Sequence, residues 1–279
     1  MKKIAIMVDS GADITVGEAK EMGVYVVRMP VVVDGVEYIE EKEINDREMA
    51  KMMRNGAVAK TSQPLLGESI KMWEALLKDY DEVLFLPISS GISGTYQTSS
   101  RASEADEFKD KVFVVDSKFV CAPTKVLIGF IKQMIKAGYD SKMIKEKVEK
   151  EAELFAIIVP EDLVYLKRGG RISNAAAMLG NLLKIVPVLK VENGAIDVQT
   201  KVRTVSKAHQ VAMETVADVE NKDDYVWLML SCDTDITNYK EQFAKICGCE
   251  VVTDSIKAVV MSHTGPGTFA CGRVKKIKI

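Results

Sequence analysis

At 279 residues the chain is long for one compact unit and comfortable for two α/β lobes. Hydrophobic residues make up 47% and charged residues 28%, the balance of a globular protein with real cores. A net charge of −2 offers no broad basic surface, so nucleic acid and membrane insertion are not expected.

The apolar run that follows Lys2-Lys3 stops at Asp9, too short for a signal core. No stretch nears the roughly 18 apolar residues of a membrane span. The five cysteines, Cys121, Cys232, Cys247, Cys249 and Cys271, are odd in number and scattered. That pattern predicts reduced thiols and a cytoplasmic location. Cys247-Gly-Cys249 lacks a second Cys/His pair at ligand spacing, so no metal is expected.

In chain order, Lys3–Val8 reads as a buried strand opening into Asp-Ser-Gly. Thr15-x-x-Glu18 has capping-box spacing and predicts a helix to about Met22. Val24–Val33 reads as one strand, turning at Asp34-Gly35 into Val36–Tyr38. Asn45-x-x-Glu48 starts another helix that reaches Arg54, and Glu68–Asp79 has helical period. Val83–Ile88 and Val112–Val115 are continuous apolar strands, and helices follow over Thr124–Ala137 and Ser141–Phe155. Strands so spaced predict a parallel sheet covered on both faces.

Beyond a boundary placed near residue 155, the texture changes to a mixed α+β lobe. Leu163–Leu166 leads into a Gly-rich basic turn and an Ala/Leu helix over Asn174–Leu183. Ile185–Val191 and Ala195–Thr200 form a hairpin about Asn193-Gly194. A helix near Ser206–Asp218, a strand at Val226–Ser231 and a helix at Ile236–Ile246 come next. Strands at Glu250–Thr253, Ala258–Ser262 and Val274–Ile279 close the chain. Two lobes, 1–155 and 156–279, are therefore expected.

Four strand-to-loop junctions are rich in Gly, Ser and Thr: Asp9–Gly11, Lys60–Pro64, Ser89–Thr95 and Ser262–Gly267. Such loops, with free N–H groups at helix starts, suit a small anion held by neutral donors, although each alone is an ordinary turn. Sharper chemistries fail. Gly91-Ile-Ser93-Gly-Thr95 has Thr where a nucleophile elbow needs its second Gly, and there is no Walker loop. His263 reads either as a structural residue or as an anion donor. Lys167-Arg168-Gly-Gly-Arg171 reads as a solvated turn or as a docking point for phosphate or an acidic partner. The 14 methionines are core filler or an adaptable lining for an apolar ligand.

Taken together, seven segments in register resemble the DegV family of bacterial fatty-acid-binding proteins, which includes the binding subunits of fatty acid kinase. They are Val8–Asp13, Thr61-Ser-Gln-Pro64, Ile88–Gln97, Asp116-Ser-Lys118, Tyr165–Ser173, Val202-Arg-Thr204 and His263-Thr-Gly-Pro-Gly267. The resemblance implies a two-lobed DegV-like α/β fold enclosing an acyl chain. It implies a carboxylate held by Thr61, Ser93 and His263, with Ser62, Gly94, Thr95 and Thr264 beside them. No cofactor and no catalytic residue are implied, and the chain is expected not to be an enzyme. A partner kinase subunit would make the acyl phosphate, and Arg171 and Arg203 are its expected docking residues. Two departures stand out: Phe119-Val-Cys-Ala-Pro123 replaces small residues and glycines, and Gly11-Ala12 stands where Thr or Ser is common.

The physics agrees with that reading. Burying about fifteen methylenes at roughly 0.8 kcal/mol each supplies on the order of 12 kcal/mol before binding costs. A carboxylate buried with them must meet donors. The rival reading is an acyl- or phosphoryl-transfer enzyme with Ser93 as nucleophile and His263 as base. A small-molecule sensor using the same pocket is a third.

Overall fold

A computed structural model describes residues 2–172 and 185–279; the helix expected over 174–183 lies outside them. In chain order β1 (Ile4–Asp9) is followed by α1 (Val16–Met22), β2 (Tyr25–Val27), β3 (Pro30–Val33) and β4 (Val36–Ile39). Next come α2 (Asp46–Arg54), β5 (Ala59–Thr61), α3 (Leu66–Leu76), β6 (Glu82–Leu86) and α4 (Thr95–Ala102). β7 (Val112–Val114), α5 (Pro123–Lys136) and α6 (Ser141–Glu151) lead into β8 (Leu154–Val159). After it come α7 (Leu163–Gly169), the hairpin β9 (Val186–Glu192) and β10 (Ala195–Val202), and α8 (Val205–Ala217). The chain continues through β11 (Tyr225–Ser231), α9 (Thr237–Cys247), β12 (Val251–Ser255), α10 (Ala258–Thr264) and β13 (Phe269–Lys275).

Both predicted capping boxes form. Thr15 and Glu18 exchange bonds at the start of α1, and Asn45 and Glu48 do so at α2, which satisfies amides the first turns leave open. Asn193 and Gly194 both take positive φ, as a two-residue hairpin turn on right-twisted strands requires.

The described strands form three sheets. The first has the order β2-β1-β6-β7, all parallel, as expected from strands that alternate with helices. One face packs Ala5, Met7, Val83 and Phe85 on Trp73 and Phe108. The other packs Ile6, Val8, Leu84 and Leu86 with Leu127, Ile131, Ile144 and Val148 of α5 and α6. A small antiparallel sheet, β4-β3-β5, stands apart from it. The third sheet is mixed, with the order β10-β9-β8-β13-β11-β12, and only β11-β12 are parallel in it.

Several expectations need correction. The single strand over Val24–Val33 is two, in different sheets. At the break Arg28 turns to pair with buried Glu40 at 3.3 Å, and the Met29 amide donates to Ser10 Oγ at 2.9 Å. The helix expected to reach Phe155 ends at Glu151, and the apolar run after it is β8, deep in the third sheet. Ala258–Ser262 is helical rather than extended: β-branched Val259 and Val260 suit a strand locally, but packing against α7 and β5 decides the outcome. The last strand lies earlier than expected, at Phe269–Lys275, where it pairs with both β8 and β11. The element at Leu163, for which the sequence predicts no type, is a helix; β5 is the strand implied at the Lys60–Pro64 junction, and α4 has no counterpart among the predicted elements.

Candidate functional site

The loops after β1 and β6 are pinned before any ligand is considered. The carboxylate of Asp9 is fully buried and accepts from the amides of Gly11 and Ile88, each at 2.9 Å, tying two strand ends together. Burial pushes its pKa up to about 7, against the pull of those two amides. Gly11 has no room for a side chain, since a Cβ would stand 2.6 Å from Ile88 Cβ. Ser90 bonds Asp116, and Ser89 Oγ donates to the carbonyl of Gly194 at 2.8 Å, docking the β9-β10 hairpin on this loop.

On that frame sit the predicted donors. Ser93 Oγ is 2.9 Å from Thr95 Oγ1 and accepts from the Thr95 amide at 3.3 Å, so it faces the open first turn of α4. Its N-cap residue, Gly94, has no side chain to cap that turn. Thr61 ends β5, and His263 lies in the last turn of α10, 202 residues away in sequence. Thr61 Oγ1 and His263 Nε2 are 2.7 Å apart. Burial first, and the nearby Arg171 cation second, hold the imidazole near pKa 4, so it is neutral at physiological pH. Its Nδ1 is buried with no hydrogen-bond partner among the described residues. The ring fits only because residue 169 is glycine, where a Cβ would approach Nδ1 to 2.3 Å.

These groups line one end of a cavity of about 600 Å³, partly open to solvent. Thr61, Ser62, Gln63, Ser93, Gly94 and His263 form its polar wall. Thr95 is buried behind that wall and positions Ser93. Thr264 is also in the wall, but its hydroxyl is spent on the Val260 carbonyl at 3.3 Å. A second cavity of about 570 Å³ adjoins the first, and Ile92, Val120, Ile196, Val260 and Thr264 belong to both. Its further lining is apolar, from β8, β9, β11 and β13 together with Cys121 and Pro123. Val120, Cys121 and Pro123, all in the segment 119–123, therefore contribute directly to the apolar space.

The two arginines part company. Arg171 is in the cavity wall, donating Nε to the Ile92 carbonyl at 3.1 Å and Nη1 to the Gly169 carbonyl. Arg203 is exposed, just before the capping Thr204 of α8, and lines neither cavity. The charge of Arg171 is plain in sequence; its place against His263 is not. Gln63 belongs to the Thr61-Ser-Gln-Pro64 motif but is not among the expected site residues. It accepts from Thr98 Oγ1 at 3.0 Å and packs where Gly94 lacks a side chain. Its place beside Thr61-Ser62 was the available signal.

No cluster of three or more His, Cys, Asp or Glu side chains that could hold a metal occurs among the described residues. No helix among them is long and apolar enough to cross a membrane. Chemically, the arrangement offers neutral donors and one cation in a partly open cavity and hydrocarbon in the cavity that adjoins it.

The profile of the family described as "Uncharacterised protein, DegV family" matches residues 3–276. A DegV domain-containing protein of Halalkalibacterium halodurans is 35% identical, over 95% of this chain and 93% of that one. Among solved structures, the chain is similar to a DegV family protein from Thermus thermophilus described for its fatty acid binding. Their TM-score is 0.85 at 27% identity, over 98% of this chain and 100% of that one. It is also similar to a fatty acid binding DegV family protein from Streptococcus agalactiae, with a TM-score of 0.81 at 29% identity, over 99% and 100%.

Proposed function

The chain belongs to the DegV family, and from that membership and the form of its cavity we propose that it binds a long-chain fatty acid between two lobes, 1–155 and 156–279. The observation that carries the reading is the division of the cavity into a polar end and an apolar end. Hydrocarbon gains free energy from leaving water, while a carboxylate left without donors would cost more than the chain returns. Thr61, Ser93 and His263 supply those donors, with Ser62, Gly94, Thr95 and Thr264 shaping the wall. Neutral His263 donates through whichever nitrogen carries its proton, and Arg171 adds a cation beside it.

The head group would lie where Gly91–Gly94, Gly170 and Arg171 border an open, polar depression. A partner kinase subunit reaching that opening could meet the carboxylate while the tail stays covered. The protein then acts as a carrier in the cytoplasm and leaves phosphoryl transfer to its partner. The enzyme reading has less support. Ser93 pairs with Thr95, and His263 with Thr61, so no nucleophile–base hydrogen bond links Ser93 to His263.

Mass spectrometry of an organic extract of protein purified from a bacterial host should find fatty acid near one per chain. An extract holding only sugar phosphates or nucleotides would end the lipid reading. Thr61→Ala and Ser93→Ala should each weaken binding by about 1–3 kcal/mol, because a buried charged acceptor loses a donor. Wild-type affinity in both variants would place the head group elsewhere. Ester hydrolysis abolished by Ser93→Ala would instead favour the enzyme.

A further inference from the structure

The apolar cavity runs along one face of β8. Ile158, Ala156 and Leu154 alternate onto that face and all line the cavity, spanning about 13 Å at ~3.3 Å per residue. Ile158 stands beside Ala270 on β13, and Ala156 stands beside Gly272. The middle of the face therefore carries very small side chains, and a Cβ at Gly272 would meet that of Ala156 at 2.9 Å. The trough ends at Leu154, which pairs with Val274.

The head-group residues lie toward the opposite end. Thr264 and Val260 belong to both cavities, and Thr264 is tied through the Thr268 hydroxyl to the start of β13, next to Ala270. An acyl chain entering from His263 would thus pass Ile158, then Ala156, then Leu154.

Past Leu154 the chemistry changes. A crevice of about 870 Å³ has Asp116, Lys118, Glu149, Glu153 and Arg273 in its walls. Among the described residues, Leu154 alone lines both this charged crevice and the apolar cavity. Arg273 Nε is buried with no hydrogen-bond partner among the described residues. A methyl end that passed Leu154 would leave hydrocarbon for charged groups and water, and would forfeit the gain from burial.

We infer that Leu154 is the stop that sets acyl chain length in this protein, the wall between the tail cavity and the charged crevice behind it. The inference rests on the fatty-acid reading proposed above. Shortening Leu154 joins the two spaces and admits a longer chain, while enlarging it shortens the trough.

The test is displacement of a bound fluorescent fatty acid by tetradecanoic, octadecanoic and docosanoic acids, with melting curves on the same samples. Wild type should bind octadecanoic acid at least tenfold more tightly than docosanoic acid. Leu154→Ala should narrow that ratio at least fivefold. Leu154→Phe should shift preference toward tetradecanoic acid. If Leu154→Ala fails to fold, Leu154→Val should narrow the ratio in the same direction by a smaller factor. An unchanged length profile in folded Leu154→Val and Leu154→Phe overturns the inference, as does wild-type protein that takes docosanoic acid as tightly as octadecanoic acid. Wild-type protein that binds none of the three acids is a different result, and it removes the fatty-acid reading itself.

Discussion

The two faces of the six-stranded sheet are made by the same strands and reach opposite ends. On the back, Ile157, Val159, Trp227, Met229, Phe269 and Cys271 fill the space under α8 and α9. Trp227 meets Phe243 edge to face at 5.8 Å, and Phe269 stacks on His209 at 4.1 Å. On the front, alternate residues of the same strands, among them Ala156, Ala270 and Gly272, leave the apolar cavity. Backbone geometry is common to both faces, so the hollow is written in side-chain size. A strand's alternation lets one sequence specify a solid layer and an empty one at once.

The sharpest way to break that comparison is to swap the two kinds of packing. Trp227→Ala empties the solid face and should cost about 3–5 kcal/mol, with a large fall in melting temperature and little change in ligand affinity for protein that remains folded. Ala156→Phe fills the hollow face and should do the reverse, holding the melting temperature while fatty-acid affinity drops at least tenfold. Equal stability losses from both would show the front face to be ordinary core.

A second contrast separates the buried imidazole from the buried carboxyl. His263 sits near pKa 4 in the fold against 6.5 when free, so between those values the unfolded chain binds the extra proton. Its contribution to stability is therefore present above about pH 6.5 and lost as pH falls through 4, on the order of 3 kcal/mol. Asp9, raised to about 7, acts with the opposite sign: its contribution is present below its unfolded value of 3.8 and lost as pH rises through about 7. Urea unfolding of wild type and His263→Gln between pH 4 and 7 should show the variant with the flatter loss on the acid side. Parallel curves would mean that His263 keeps its ordinary pKa.

The smallest effect separates the arginines. Arg203→Glu, at an exposed site outside the cavity, should leave fatty-acid affinity within about twofold. It should also slow acyl-phosphate formation with a cognate kinase at least tenfold, about 1.4 kcal/mol. Arg171→Glu should lower melting temperature and acid affinity together, since its guanidinium bridges Ile92 and Gly169. Full kinase turnover in Arg203→Glu would remove that residue from the docking surface.

Much of the fold was legible because its signals are local. The capping boxes at Thr15 and Asn45, the Asn193-Gly194 turn and the apolar runs of β1 and β6 need only a few neighbours to be read. The errors fall where tertiary contacts overrule them. Val259 and Val260 favour a strand, yet the helix they form carries His263 to Thr61. No turn residue separates Glu151 from the apolar run Leu154–Val159, so the helical reading runs on to Phe155 and takes in the first two residues of β8. The polar end of the cavity could be expected from its hydroxyl-rich loops. The apolar end could not, because Ala156, Val191, Leu230 and Ala270 look in sequence like any core residues. Only the register of the strands shows that they surround a space.

The bond between Thr61 and His263 has a consequence for how the chain is made. Its partners are separated by 202 residues, so about 10–40 s of synthesis at 5–20 residues per second pass between them. Through the later part of that interval Met29, Ile88 and Val120, which will line the cavity, have no β13 and no α10 to cover them. The nascent chain must carry a greasy, unroofed surface on the ribosome until α10 and β13 emerge.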